Sequence, residues 1–145
     1  MELKIVLIGE YKTGKTTFCK KLITGENTSM YIPTLGVEVY PYRVGDRCFN
    51  LWDTAGQERF GGLRDGYYIE ADAFLVFFNS KDSMKKLQNW INCALNVREN
   101  AKIIVIYNNC GNYFDRSRLY NINNVTFLDI NVVQDTNFDQ VFNAI

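Results

Sequence analysis

A chain of 145 residues, 47% hydrophobic and 22% charged, is long enough for one buried core and reads as a soluble globular domain. Sixteen lysines and arginines balance sixteen aspartates and glutamates, with no polybasic run, which argues against a nucleic-acid surface. The absence of histidine excludes histidine catalysis, and no apolar run approaches the ~18 residues of a membrane span.

The elements follow in chain order. Leu3 to Ile8 is a short apolar run ending at Gly9, the pattern of a buried strand. A glycine-bearing turn leads into a predicted helix from Lys15 to Thr24, with Phe18 and Leu22 on one face and Gly25 as its stop. Val37 to Val44 alternates like a strand, Gly45-Asp46 signals a hairpin, and Arg47 to Trp52 returns. Ala73 to Phe78 is another buried strand. Met84, Leu87, Trp90, Ile91, Ala94 and Leu95 mark the inner face of a helix capped by Asp82 or Ser83. Ile103 to Tyr107 and Val125 to Leu128 are further strands, and Phe138, Val141 and Phe142 suggest a short last helix. Alternating strands and helices with one early hairpin predict an α/β fold: a single domain over residues 1–145, with a mostly parallel sheet covered on both faces. Ligands bind such sheets at the carboxyl ends of the strands, where Gly9, Asp53 and Asn108 fall.

Four cysteines, Cys19, Cys48, Cys93 and Cys110, show no CxxC pairing or metal spacing and are read as reduced thiols. Met1 to Lys4 enters a strand pattern directly, unlike a signal peptide, and the C-terminal segment carries no cysteine for prenylation.

Gly9-Glu10-Tyr11-Lys12-Thr13-Gly14-Lys15-Thr16 fits the phosphate-loop pattern GxxxxGK(S/T), after a strand and before a helix as the chemistry requires. Backbone N–H groups from Lys12 to Thr17 point at phosphate oxygens, Lys15 adds a point charge, and the Thr16 hydroxyl is a hard ligand for Mg²⁺. Asp53-Thr54-Ala55-Gly56-Gln57-Glu58 follows a strand: Asp53 can hold Mg²⁺ through water, the Gly56 amide can contact a γ-phosphate, and Gln57 can orient an attacking water. Thr34, in the loop before the second strand, can reach Mg²⁺ when a γ-phosphate orders that loop, which makes a switch.

These three motifs, in this order, resemble a Ras-superfamily GTPase, a system from which the roles just given are partly drawn. Thr34 to Pro41 and Trp52 to Tyr68 resemble the Ran branch most closely, above all Gly61-Gly62-Leu63-Arg64-Asp65-Gly66-Tyr67-Tyr68 after the catalytic glutamine. The resemblance is strong over Leu3 to Tyr68, moderate to Tyr107 and weak afterwards. It implies a P-loop G domain with a six-stranded sheet, GTP or GDP with Mg²⁺, slow hydrolysis through Gln57, and nuclear-transport work as a monomer in cytoplasm and nucleus. It also implies partners at the switches: transport receptors, an exchange factor, and the nuclear transport factor that reads Phe60.

The chain departs from the family at several places. Tyr11 and Lys12 replace two glycines, and a ring at Tyr11 is expected to crowd Gln57 and impair hydrolysis. Asn27 stands where the family stacks an aromatic on the base. Of the base-reading Asn-Lys-x-Asp, the registers at Asn108 and Asn109 keep the asparagine and lose the lysine and the carboxylate, while a third, reached through an insertion, offers Asn112 with Asp115. Asn131-Val132-Val133 replaces Ser-Ala-Lys. A lost charge-assisted contact costs about 1.5–3 kcal/mol, so guanine selectivity is expected to be weak. The half after Tyr107 is shortened, without the family's basic stretch or acidic tail. Three functions therefore stand side by side: a working switch, a non-hydrolysing mimic that occupies Ran's partners, and a nucleotide-binding domain with altered base preference.

Overall fold

The computed structural model describes residues 1–23, 29–32, 36–54, 64–109, 111, 117, 119, 122–134 and 137–145. In chain order the elements are β1 (Glu2–Gly9), α1 (Lys15–Leu22), β2 (Met30–Ile32), β3 (Val37–Val44), β4 (Arg47–Asp53), α2 (Arg64–Tyr68), β5 (Ala73–Phe78), α3 (Lys81–Met84), α4 (Leu87–Val97), β6 (Lys102–Asn108), β7 (Thr126–Ile130) and α5 (Phe138–Ala144). One sheet holds the strands in the order β2-β3-β4-β1-β5-β6-β7. β1 pairs parallel with β4 on one side and β5 on the other, and β5–β6 and β6–β7 are also parallel. The early hairpin is antiparallel, as is β2 on β3.

The expectation of six strands is corrected to seven. Met30–Ile32 is only three residues long and largely exposed, so it has no hydrophobic pattern to announce it. Its strand character comes from pairing with Val37 to Val39.

The central strands are buried on both faces because successive side chains point to opposite sides. Ile5 and Leu7 of β1 join one core with Phe18, Phe49, Leu51, Leu75, Ile106 and Phe142. Val6 and Ile8 join the other with Tyr67, Tyr68, Phe74, Val76, Trp90 and Ile91. Helices α1 and α5 cover the first face, α2 and α4 the second. Phe18 fixes α1 by edge-on contacts with Phe77 and Phe138, at centroid distances of 5.5 Å and 4.8 Å. Burying such a ring contributes about 1.5–3 kcal/mol, so the helix that follows the phosphate loop is firmly seated.

Two helix boundaries differ from expectation. The backbone turns extended at Ile23, which ends α1 at Leu22. The helix expected around Met84 to Leu95 is broken into α3 and α4. Its cap is Ser80, not Asp82 or Ser83: Ser80 accepts from the Ser83 amide, and Ser83 reciprocates on the Ser80 amide. That capping box fixes the start of α3 at Lys81. Among the described residues no helix is long and apolar enough to cross a membrane, and Cys19, Cys48 and Cys93 are free thiols.

Candidate phosphate-loop site

β1 lies between two parallel neighbours, so the loop leaving its carboxyl end opens at a crevice of the sheet. At Gly9 the backbone passes so close to β5 that a Cβ would sit 2.4 Å from the Phe77 carbonyl oxygen. The loop then takes left-handed conformations at Lys12 (φ 62°) and Gly14 (φ 104°). Gly14 is the N-cap of α1 and makes no side-chain cap hydrogen bond. Tyr11 to Thr17 line a cleft of about 210 Å³.

Lys15 is buried, yet its ammonium stays in the cradle. Its Nζ donates to the carbonyls of Gly9 (3.0 Å) and Glu10 (2.8 Å) and to the Thr13 hydroxyl (3.3 Å). Thr13 donates in turn to the Glu10 carbonyl at 2.8 Å. These bonds hold the charge at the floor of the loop, where it can meet an anion. Tyr11 is 49% exposed, with the Lys12 ammonium 5.3 Å from its ring centroid. The ring thus stands at the edge of the cleft.

Thr16 Oγ1 donates to Asp53 Oδ2 at 2.6 Å, joining the start of α1 to the end of β4. A hydroxyl and a carboxylate are hard oxygen donors suited to Mg²⁺, which commonly binds through one or two carboxylates and completes its shell with phosphate and water. Cradle, cation and oxygen pair together fit a magnesium-bound polyphosphate.

Charges of this site reach into the core beside it. Burial raises the Cys19 thiol well above its ordinary range, with Asp53 adding to the rise and Lys15 opposing it. Burial, then Asp53, Cys19 and Glu38, push the Tyr40 phenol up to about 12 from 10.0. Between those values the folded state keeps a proton that the unfolded state has lost. The stability is complete below pH 10 and falls as pH rises through about 12. Tyr40→Phe is expected to flatten the alkaline fall in urea midpoint over that window; an unchanged wild-type slope in the variant would contradict this assignment.

Asn108 ends β6 and is buried. Its Nδ2 donates to the Thr13 carbonyl and its Oδ1 accepts from the Val132 amide, both at 3.1 Å. It thereby ties the phosphate loop to the segment after β7. Asn109, the second register, folds back on its own turn, accepting from the Gly111 amide at 2.9 Å. Asn112 and Asp115, the third register, lie outside the described residues, as do Asn27, Thr34, Gly56, Gln57, Phe60 and Cys110. Of the expected site residues, the structure brings together Lys12, Thr13, Gly14, Lys15, Thr16, Thr17, Asp53 and Asn108.

Three side chains at the loop were not anticipated. Asn79 Nδ2 donates to the Lys12 carbonyl at 2.9 Å. Trp90 Nε1 donates to Glu10 Oε2 at 2.7 Å, and Lys86 Nζ pairs with Glu10 Oε1 at 3.2 Å. A signal existed for Asn79, which directly follows β5 and so sits at a strand end like Asp53 and Asn108. Trp90 reads in sequence only as one more apolar position of a helix face.

The family model described as "Roc: Ras of Complex, Roc, domain of DAPkinase" matches residues 4–111, well over half of the chain, from within the first strand to just past the end of β6. With a phosphate loop after β1, a hydroxyl–carboxylate pair between α1 and β4, and this match, the chain belongs to the Roc family of Ras-like GTPase domains.

Proposed function

We propose that this protein is a Ran-like small GTP-binding protein, a single domain that acts as a nucleotide-dependent switch and turns GTP over slowly. The observation that carries the reading is the cradle, where Lys15 rests on the Gly9 and Glu10 carbonyls beside the Thr16–Asp53 pair. The loop amides and Lys15 would bind the β- and γ-phosphates, and Thr16, Asp53 and Thr34 would hold Mg²⁺. The metal, when bound, neutralises charge building on the phosphate oxygens. Gln57 would orient the water, and the Gly56 amide would register the γ-phosphate. The segments from Thr34 to Pro41 and from Trp52 to Tyr68 support Ran-type partners: transport receptors, an exchange factor and the nuclear transport factor, met in cytoplasm and nucleus. Mass spectrometry of nucleotide released from the purified protein tests this reading. GDP or GTP is expected; an adenine nucleotide, or none, would reject it.

Tyr11 favours a second reading, a Ran mimic that holds nucleotide weakly and does not hydrolyse it. A tyrosine lining the cleft narrows the approach of water and of any activating residue. Single-turnover GTP hydrolysis by Tyr11→Gly is expected to exceed wild type by about 10- to 100-fold, the scale set by small misplacements of reacting groups. Equal rates would remove the steric argument.

A further inference from the structure

A carboxylate inside a phosphate loop must keep its charge away from the bound anion. Glu10 is such a residue, and its side chain is turned away onto the helical layer. One carboxylate oxygen accepts from the Trp90 indole at 2.7 Å and the other pairs with Lys86 at 3.2 Å. Its backbone carbonyl meanwhile accepts from Lys15 Nζ at 2.8 Å and Thr13 Oγ1 at 2.8 Å. Glu10 therefore joins the phosphate-facing lysine, through its main chain, to α4, through its side chain.

Two residues on, Lys12 is held in the left-handed region at φ 62°, which a side chain-bearing residue adopts only when held there. What holds it is Asn79, donating to its carbonyl at 2.9 Å. Asn79 is anchored too: its amide donates to Ser83 Oγ at 3.0 Å, within the capping box of α3. The segment from the end of β5 to α4 thus grips the loop at Glu10 and at Lys12, on either side of Tyr11.

We propose that Glu10–Trp90 and Lys12–Asn79 form a two-point clamp through which α3 and α4 position the phosphate loop, setting how long nucleotide is retained. Glu10, Trp90 and Asn79 are positioning residues that act through the Lys15 ammonium and the Lys12 carbonyl. Lys86, with its side chain 59% exposed, is the clamp's solvent-facing end.

The retention part of this proposal rests on the GTP-binding reading above; the clamp itself does not. Its test uses the whole chain with Glu10→Ala, Glu10→Gln and Trp90→Phe. Hydrogen–deuterium exchange of peptides covering residues 9–16, without added ligand, reports the clamp. Release of a methylanthraniloyl-GDP probe with Mg²⁺ reports retention. Glu10→Ala and Trp90→Phe are expected to speed loop exchange and raise the probe's off-rate about tenfold, the effect of losing one charge-assisted bond. Glu10→Gln keeps an acceptor for the indole and is expected to restore most of both. Combining Glu10→Ala with Trp90→Phe is expected to add little to either alone, which general destabilisation would not produce. Loop exchange at the wild-type rate in both truncations would overturn the clamp. Faster exchange with an unchanged off-rate would overturn its link to retention. A wild-type protein that binds no probe would reject the GTP reading, and the exchange comparison would still decide the clamp.

Discussion

Lys15→Ala is expected to strip the purified protein of bound nucleotide and to weaken Mg²⁺–nucleotide affinity by at least about 100-fold. The ammonium is the cation of the loop's floor, and charge-assisted bonds to phosphate are worth about 1.5–3 kcal/mol each. Its burial makes the change costly twice. The Gly9 and Glu10 carbonyls, which now accept from Nζ, would lose a buried donor. The Glu10 carbonyl keeps the Thr13 hydroxyl, whereas losing the Nζ donor at the Gly9 carbonyl costs about 1–3 kcal/mol, so a lower melting temperature is expected beside the lost binding. The two effects separate experimentally: titration of a fluorescent nucleotide below the variant's own melting temperature reads the site alone. Wild-type nucleotide content in Lys15→Ala would defeat the assignment of the loop as the phosphate site.

Gly9→Ala is expected to be the most destabilising single methyl in the described part of the chain, at about 3–5 kcal/mol. The new Cβ would stand 2.4 Å from the Phe77 carbonyl oxygen, 3.1 Å from its nitrogen and 3.3 Å from its carbonyl carbon. All three atoms are backbone of β5, a strand paired on both edges, so none can swing aside. The φ of +138° adds conformational strain of about 1–3 kcal/mol. For a chain of this length, each kcal/mol lowers the melting temperature by about 2–4 °C, which puts the expected fall near 10 °C or more. Gly45→Ala provides the contrast. Gly45 has a positive φ of 61° but no atom within 4 Å of the added Cβ, so only backbone strain applies. Thermal melts that rank Gly45→Ala below Gly9→Ala would contradict the close approach of β1 to β5.

Features set by neighbouring residues were legible in the sequence. The phosphate loop needs only a strand end, two glycines and a helix start within eight positions, and Gly9 to Thr16 supplies them. The same holds for the alternating strands, whose side chains divide between two faces, and for the hairpin at Gly45-Asp46. These depend on backbone sterics and on periodicity, which act over a few residues. The Ras-like superfamily followed from those local signals, because its motifs are local.

Everything that supports the loop from behind was decided by the tertiary structure. The order of strands brings Asn108 to the Thr13 carbonyl across 95 residues and Trp90 to Glu10 across 80. Neither residue announces this in sequence: an asparagine after an apolar strand has several registers open to it, and a tryptophan on a helix face satisfies the core whatever its indole N–H does. The seventh strand is similar, since Met30 to Ile32 becomes a strand only by having β3 to pair with. By itself the sequence determined the phosphate cradle, its lysine and the Thr16 and Asp53 oxygens that meet beside it. The tertiary structure decided which asparagine locks the cradle and that α3 and α4 hold it, because a hydrogen bond between distant residues exists only once the sheet has set their distance.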